Sequence, residues 1–366
     1  MTYLLPDYGG ASLADVLPAV GRALGASVDR DSHLNLPEAP AYVVVLLDGM
    51  GAQQLAANAD HAPFLTSLES ATGTCGVPST TATSLTSLGT ALPPGGHGMV
   101  GFTSRIPGTT RVLQALRWDE SIDPTLWQPH EPYFATLERA GIATTVLSKS
   151  AFESSGLTQV AQRGVRFVGA DTLVERVQFA VREAGRTPSL TYLYDSDPDH
   201  TGHAHGVDSW QWRQALDDVD AAMEQLRADL PESVRLLVIA DHGMVDPTVR
   251  IDIDAAPQWR DGVFLVAGEA RFRHLYCRAG AAESVQATWQ ELLGDLGLVV
   301  TREEAVAAGW FGPVDAAVLP RLGDVMVAAG PDLAVLSSRD FEIETYLVGM
   351  HGSLTPAEMQ IPLLLG

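Results

Sequence analysis

The sequence predicts an α/β protein built on a mostly parallel central sheet with helices on both faces, plus a small inserted α+β lobe. Three observations carry this. Apolar runs that end in acidic residues occur at AYVVVLLDGM (41–50), SLTYLYDSD (189–197) and VRLLVIADHGM (234–244). Helical periodicity lies between them. The long stretch between His242 and His351 holds short strands and helices of its own.

The first run has no polar alternation, so it suits a strand covered on both faces, with Asp48 at its carboxyl end. A hydroxyl-rich segment follows, VPSTTATSLTSL (77–88), and then LPPGGHG (92–98). The hydroxyls read as a helix start with Ser79 as N-cap, and equally as a place to receive phosphate. Helices are expected at EPYFATLERAGI (131–142), ADTLVERVQFAVREAG (170–185) and SWQWRQALDDVDAAMEQLRADL (209–230). The last puts Trp212, Leu216, Val219, Met223 and Leu226 on one stripe. Strands at FRHLYCR (272–278) and GDVMVAAG (323–330), with helices at ESVQATWQELLGDLG (283–297) and TREEAVAAGW (301–310), fill the late region. The expected division is a core of residues 1–256 and 323–366 with an inserted lobe at 257–322.

Ligands of parallel sheets bind beyond the carboxyl ends of strands, where Asp48, Asp199 and Asp241 fall. At 366 residues the chain can bury a sizeable core, and its net charge of −22 argues against a long nucleic acid as partner. An acidic protein can still take a small anionic substrate if bound cations dominate the local field. Lys149 is the single lysine. Cys75 and Cys277 form no CxxC pair, although one disulfide between them stays open. The N-terminal sequence does not read as a signal peptide, and no run is long enough for a membrane span, so the expectation is a cytoplasmic protein.

The chemistry is carried by four motifs in one order: Asp48 in VVVLLDGM, Asp199 and His203 in DPDHTGH, Asp241–His242 in LLVIADHGM, and His351 in GMHG. Asp199 and His203 are four apart and share a helical face. Asp241 and His242 can both turn to one ion on a strand-to-loop bend. Carboxylate and imidazole without thiolate favour zinc, manganese or iron. A lone Asp at a strand end is usually a cap or turn residue, so the weight lies on the combination. His200 and His205 flank His203 and could replace it, and His97 could be a turn residue. Asp195, Asp197 and Asp199 alternate like a calcium loop, but His200 and Gly206 occupy the positions where that loop needs Gly and Glu. Ser79, Thr80, Thr81 and Thr83 all compete as nucleophile. Trp118, Trp127 and Trp310 could stack on a base or pack in the core, and Arg105 and Arg111 could meet phosphate or solvent.

From about Ala41 to His351 the chain resembles the alkaline phosphatase superfamily and, within it, the type I phosphodiesterase/nucleotide pyrophosphatase family. The resemblance implies an alkaline-phosphatase-like core and two divalent ions, most simply zinc. It gives Asp48, Thr81, Asp241 and His242 to one ion and Asp199, His203 and His351 to the other. Its nucleophilic Thr follows a Pro by three residues and precedes an HG histidine by sixteen; Pro78 and His97 select Thr81, with Thr80 as runner-up. The family's phosphate-contacting Asn is replaced by Phe102, which puts the substrate-binding contact in question. The implied activity is hydrolysis of phosphodiester or pyrophosphate bonds in small nucleotide-like substrates through a phosphothreonine. The alternatives are a phosphomonoesterase or phosphonate hydrolase on the same site, and a non-catalytic binding protein on the same scaffold.

Overall fold

The computed structural model describes residues 2–28 and 32–366. Its centre is a seven-stranded sheet in the order Glu69–Thr74, Gln360–Leu365, Val234–Ile239, Ala41–Leu47, Ser189–Asp195, Ala143–Ser148 and Arg166–Gly169. Ala41–Leu47 pairs in parallel with Ser189–Asp195 on one side and with Val234–Ile239 on the other. Gln360–Leu365 runs antiparallel to both of its neighbours. All seven residues of Ala41–Leu47 are buried, which requires cover on both faces of the sheet. Leu173–Ala184 packs on the central strands, and Trp210–Asp229 packs on that helix. The expected stripe of Trp212, Leu216, Val219, Met223 and Leu226 is buried throughout.

Because three neighbouring parallel strands end at the same edge, Asp48, Asp195 and Asp241 arrive together. Asp195 closes its strand and is consumed structurally: its carboxylate pairs with Arg176, and both side chains are fully buried. That removes it from any calcium loop. The chain then turns directly into the helix Asp197–His205, which carries Asp199 and His203.

The late region forms a second, antiparallel sheet of four strands: Val263–Glu269, Phe272–Cys277, Val325–Ala329 and Gly297–Thr301. The sheet therefore runs past residue 322, where the sequence reading returned to the core. Ala282–Leu293 lies on it and buries Val285, Trp289 and Leu293 in a small core of their own. Flanking residues pair as well: Val249–Asp252 runs parallel to Leu333–Leu336.

The second sheet is fastened against the segment that follows the hydroxyl-rich helix. His274 donates from Nε2 to the Val100 carbonyl at 2.7 Å, and Thr103 donates to the Gly268 carbonyl at 2.8 Å. Arg271 forms a two-pronged, fully buried pair with Glu358 at 3.0 and 2.6 Å. Cys75 and Cys277 are free thiols, both buried, so the open disulfide is not formed. Among the described residues no helix is long and apolar enough to cross a membrane.

Candidate active site

Asp48 leaves the sheet on a turn whose next residue, Gly49, has a positive φ of 73°. A Cβ there would lie 3.0 Å from the Asp199 Cα, so glycine lets the two acidic loops close up. Asp241 is held by the backbone amides of Gly49 and His242, each 3.0 Å from its Oδ1. Its Oδ2 is buried without a hydrogen-bond partner, and so is the Oδ1 of Asp199.

The three motif histidines share one arrangement. Nδ1 of His203, His242 and His351 lies 2.8, 3.0 and 2.9 Å from the carbonyls of Gly349, Gly243 and Ser79. A carbonyl only accepts, so each Nδ1 carries a proton, and in the neutral ring that leaves Nε2 with a lone pair to offer. Those lone pairs converge. His242 Nε2 is 3.5 Å from Asp48 Oδ1 and 3.3 Å from Asp241 Oδ2. His203 Nε2 is 3.5 Å from Asp199 Oδ2, and His351 Nε2 is 3.6 Å from Asp199 Oδ1. The His242 and His351 rings stack with centroids 3.7 Å apart.

Acceptors facing acceptors repel unless a cation lies among them. The carboxyl of Asp48 is held well above its ordinary range by burial and by Asp241 and Asp199, and burial raises Asp241 as well. Burial, with His242 and His351's other neighbour His203, keeps His351 neutral by pushing it well below the ordinary imidazole value. Orphaned carboxylate oxygens and backbone-oriented imidazoles are what a divalent ion requires of its ligands. Two groups of donor atoms lie within 4.8 Å of one another: Asp48, Asp241 and His242, and Asp199, His242 and His351. His242 thus stands between them, while His203 joins the second through Asp199 and His351.

Of the competing hydroxyls only Thr81 meets this cluster, at 3.3 Å from His242 Nε2 and 3.5 Å from Asp48 Oδ1. It is the first residue of the helix Thr81–Thr90. The N-cap position belongs to Thr80, not to Ser79, whose hydroxyl donates instead to the Ser353 carbonyl at 2.6 Å. Thr80 turns to the Glu269 carboxyl, and Thr83 donates to the Met99 carbonyl at 3.1 Å. His200 and His205 are exposed. His97 is buried against Ser87 and the Met99 amide. Trp127 and Trp310 pack in the core, and Trp118 stands edge-on to Trp127. Arg105 lies over the rings of Phe264 and Tyr276, and Arg111 pairs with Asp119.

Two neighbours of the site escaped the sequence reading. Tyr194, on the strand Ser189–Asp195, donates its hydroxyl to Asp48 Oδ2. Glu269 comes from the second sheet and lines a cleft with Thr80, Thr81, Phe102, His203 and His351. Neither has a local signature: one looks like a strand aromatic, the other like a strand-end acid.

The sequence profile of type I phosphodiesterase / nucleotide pyrophosphatase matches residues 42–354. The chain belongs to this family. The two groups of carboxylate and imidazole donors are compatible with metal binding. An uncharacterized pyrophosphatase/phosphodiesterase of Schizosaccharomyces pombe is 25% identical over 251 residues, 62% of this chain and 48% of the relative. The chain therefore spans about half the length of that curated relative. The fold is similar to murine ectonucleotide pyrophosphatase/phosphodiesterase 5, with a TM-score of 0.70 and 19% identity over 88% of this chain and 87% of that one. It is similar too to phosphonoacetate hydrolase from Sinorhizobium meliloti 1021, with a TM-score of 0.69 and 18% identity over 93% and 92%.

Proposed function

We propose that this chain is a two-metal hydrolase that cleaves phosphodiester or pyrophosphate bonds of small, nucleotide-like substrates through a phosphothreonine. The observation that carries the reading is the clustering of three Nε2 atoms and three carboxylates, with the hydroxyl of Thr81, at a helix N-terminus, set against His242 and Asp48 of that cluster. Asp48, Asp241 and His242 would hold one divalent ion beside Thr81, and Asp199, His203 and His351 the other, with zinc the simplest choice for this donor set. Bound there, such ions supply positive charge for the attacking oxygen, the phosphoryl oxygens and the leaving oxygen.

The chain's own part follows from its geometry. Thr81 Oγ1 bonds to phosphorus as the bond to the leaving alkoxide or phosphate oxygen breaks; the threonine hydroxyl proton passes to solvent, and a leaving alkoxide takes up a proton from it. Water then cleaves the phosphothreonine, which restores the hydroxyl and releases a phosphomonoester. The amides at the start of Thr81–Thr90 face the phosphoryl group and favour its negative charge. Substrate positioning falls to a cleft of about 370 Å³ that opens beside Asp48 and Thr81. Leu85, Phe152 and Leu157 give it apolar walls, and Lys149 stands at its polar side. An inactive threonine-to-alanine variant of murine ectonucleotide pyrophosphatase/phosphodiesterase 5 has been solved in complex with AMP, which supports a nucleotide-sized ligand.

The test is turnover of bis-p-nitrophenyl phosphate beside p-nitrophenyl phosphate, on metal-loaded protein and its chelated control. Diester preference that disappears with the chelator supports the proposal. Monoester preference would move the activity to a phosphatase on the same site. Inactivity on both and on a panel of nucleotide pyrophosphates, with two ions bound, would sink it.

A further inference from the structure

Glu269 is a buried carboxyl that no step above uses. It ends the strand Val263–Glu269, is 7% exposed, and its Oε1 is buried with no hydrogen-bond partner. The Thr80 hydroxyl and the backbone amide of Phe102 both reach the carboxyl. Gly352, the residue after His351, completes its surroundings: a Cβ there would stand 2.7 Å from the Glu269 Cγ, so the side chain closes against that loop because it is glycine. The cleft it faces is shared with Thr81, Phe102, His203 and His351.

A buried, unsatisfied carboxyl is costly, and one aimed into a cleft asks for a ligand. Phe102 brings an apolar ring to the place where the family resemblance calls for an amide donor to phosphate. Only its backbone remains polar, and that backbone is bonded to Glu269. Resting on the phosphoester reading above, we infer that Glu269 is a substrate-binding residue whose carboxylic acid donates a hydrogen bond to a non-bridging phosphoryl oxygen, in place of the amide that Phe102 lacks. The donor thus arrives from the second sheet rather than from the loop after the nucleophile.

The charge state is consistent with that role. Burial pushes the Glu269 carboxyl up to about 8, with Glu344 raising it further and Arg273 and the Thr80 and Phe102 bonds opposing. Arg273 is itself paired with Glu344, so little of its charge is left for Glu269. The remaining titratable groups on this cleft are Asp199, His200, His203, Glu344 and His351. A carboxyl protonated at neutral pH donates to a phosphoryl oxygen; its anion would repel one.

The experiment compares wild type, Glu269→Gln and Glu269→Ala, each metal-loaded with its metal content measured. The readouts are kcat/KM for bis-p-nitrophenyl phosphate and the affinity for inorganic phosphate, across pH 6 to 10. Glu269→Ala should lose about 10²-fold in kcat/KM, the usual effect of one such donor, and should bind phosphate more weakly. Glu269→Gln keeps a neutral donor, so it should stay within about fivefold of wild type and lack the wild-type alkaline decline that Glu269 ionisation causes. A metal-loaded alanine variant within threefold of wild type overturns the inference, as does a glutamine variant as poor as alanine. If the alanine variant does not fold, an unchanged alkaline limb in Glu269→Gln overturns it. Wild type that binds two ions but turns over no phosphoester overturns the parent reading and the inference with it; every other failure leaves the parent reading standing.

Discussion

His203 and His351 face each other through Nε2 atoms 3.2 Å apart, each with its Nδ1 proton committed to a backbone carbonyl. Two lone pairs at that distance repel, and the Asp199 carboxylate beside them adds negative charge. A divalent ion converts the repulsion into ligation, so metal binding is expected to stabilise the fold. Chelation should lower Tm by several degrees, and added zinc should restore it. His351→Ala should reduce bound metal by about one ion per chain and shrink the chelator-sensitive shift. Atomic absorption and calorimetry read both; a Tm indifferent to chelator and zinc would contradict the arrangement.

Thr81→Ala should abolish diester turnover, by about 10³-fold or more, while the metal content stays near wild type. Thr80→Ala is expected to keep activity within about tenfold, since its hydroxyl serves Glu269 and not the cluster. Steady-state kinetics on both variants decides the nucleophile, because the reverse order moves it by one residue.

Tyr194 holds Asp48 through a hydrogen bond in a fully buried setting. Tyr194→Phe removes only the hydroxyl. The expected result is a loss of about 10- to 100-fold in metal affinity, the usual effect of deleting a group that orients a ligand. A competition titration with a zinc indicator measures it. Unchanged affinity would show that Asp48 is positioned by its strand alone.

Two histidines away from the metal groups make the fold acid-sensitive. His97 accepts the Met99 amide at Nδ1 and donates to Ser87 from Nε2; His274 accepts the Gly323 amide and donates to Val100. A second proton on either ring would meet an N–H. Burial accordingly lowers His97 to about 3 and His274 to about 4. Both pKa values are depressed below the unfolded value of about 6.5, so the unfolded state binds more protons as pH falls. The stability these neutral rings confer is complete above about pH 6.5 and drains away down to their folded values. At pH 4.5 the loss should be about 2.5 kcal/mol per ring. Urea unfolding of chelated protein at pH 7.5 and 4.5 tests this: His274→Gln should be less stable than wild type at pH 7.5 yet lose less of its stability on acidification.

The sequence by itself determined the class of fold and the motifs that meet at the candidate site. Long apolar runs rich in β-branched residues and ending in Asp suit strands covered on both faces, and a regular strand carries its terminal residue to a fixed edge. Asp48 and Asp241 were therefore legible from local grammar. Asp199 and His203 were legible as well, because four residues on a helix share a face. What local grammar left out was set by pairing across long separations. The strands Glu69–Thr74, Arg166–Gly169 and Gln360–Leu365 take their places in the sheet by pairing with strands distant in the chain or, for Arg166–Gly169, at its far edge. The second sheet outran its expected boundary because Val325–Ala329 bonds to Phe272–Cys277 and Gly297–Thr301, which no periodicity within it announces. Tertiary structure set Thr81, alone of the four competing hydroxyls, against the cluster that the motif spacing had pointed to, made Thr80 the cap in place of Ser79, and brought Tyr194 and Glu269 to the site. The physical reason is common to all of these. Strand and helix follow from the pattern of neighbours along the chain, whereas a side chain's partner depends on which distant backbone its hydrogen bonds and packing bring within reach.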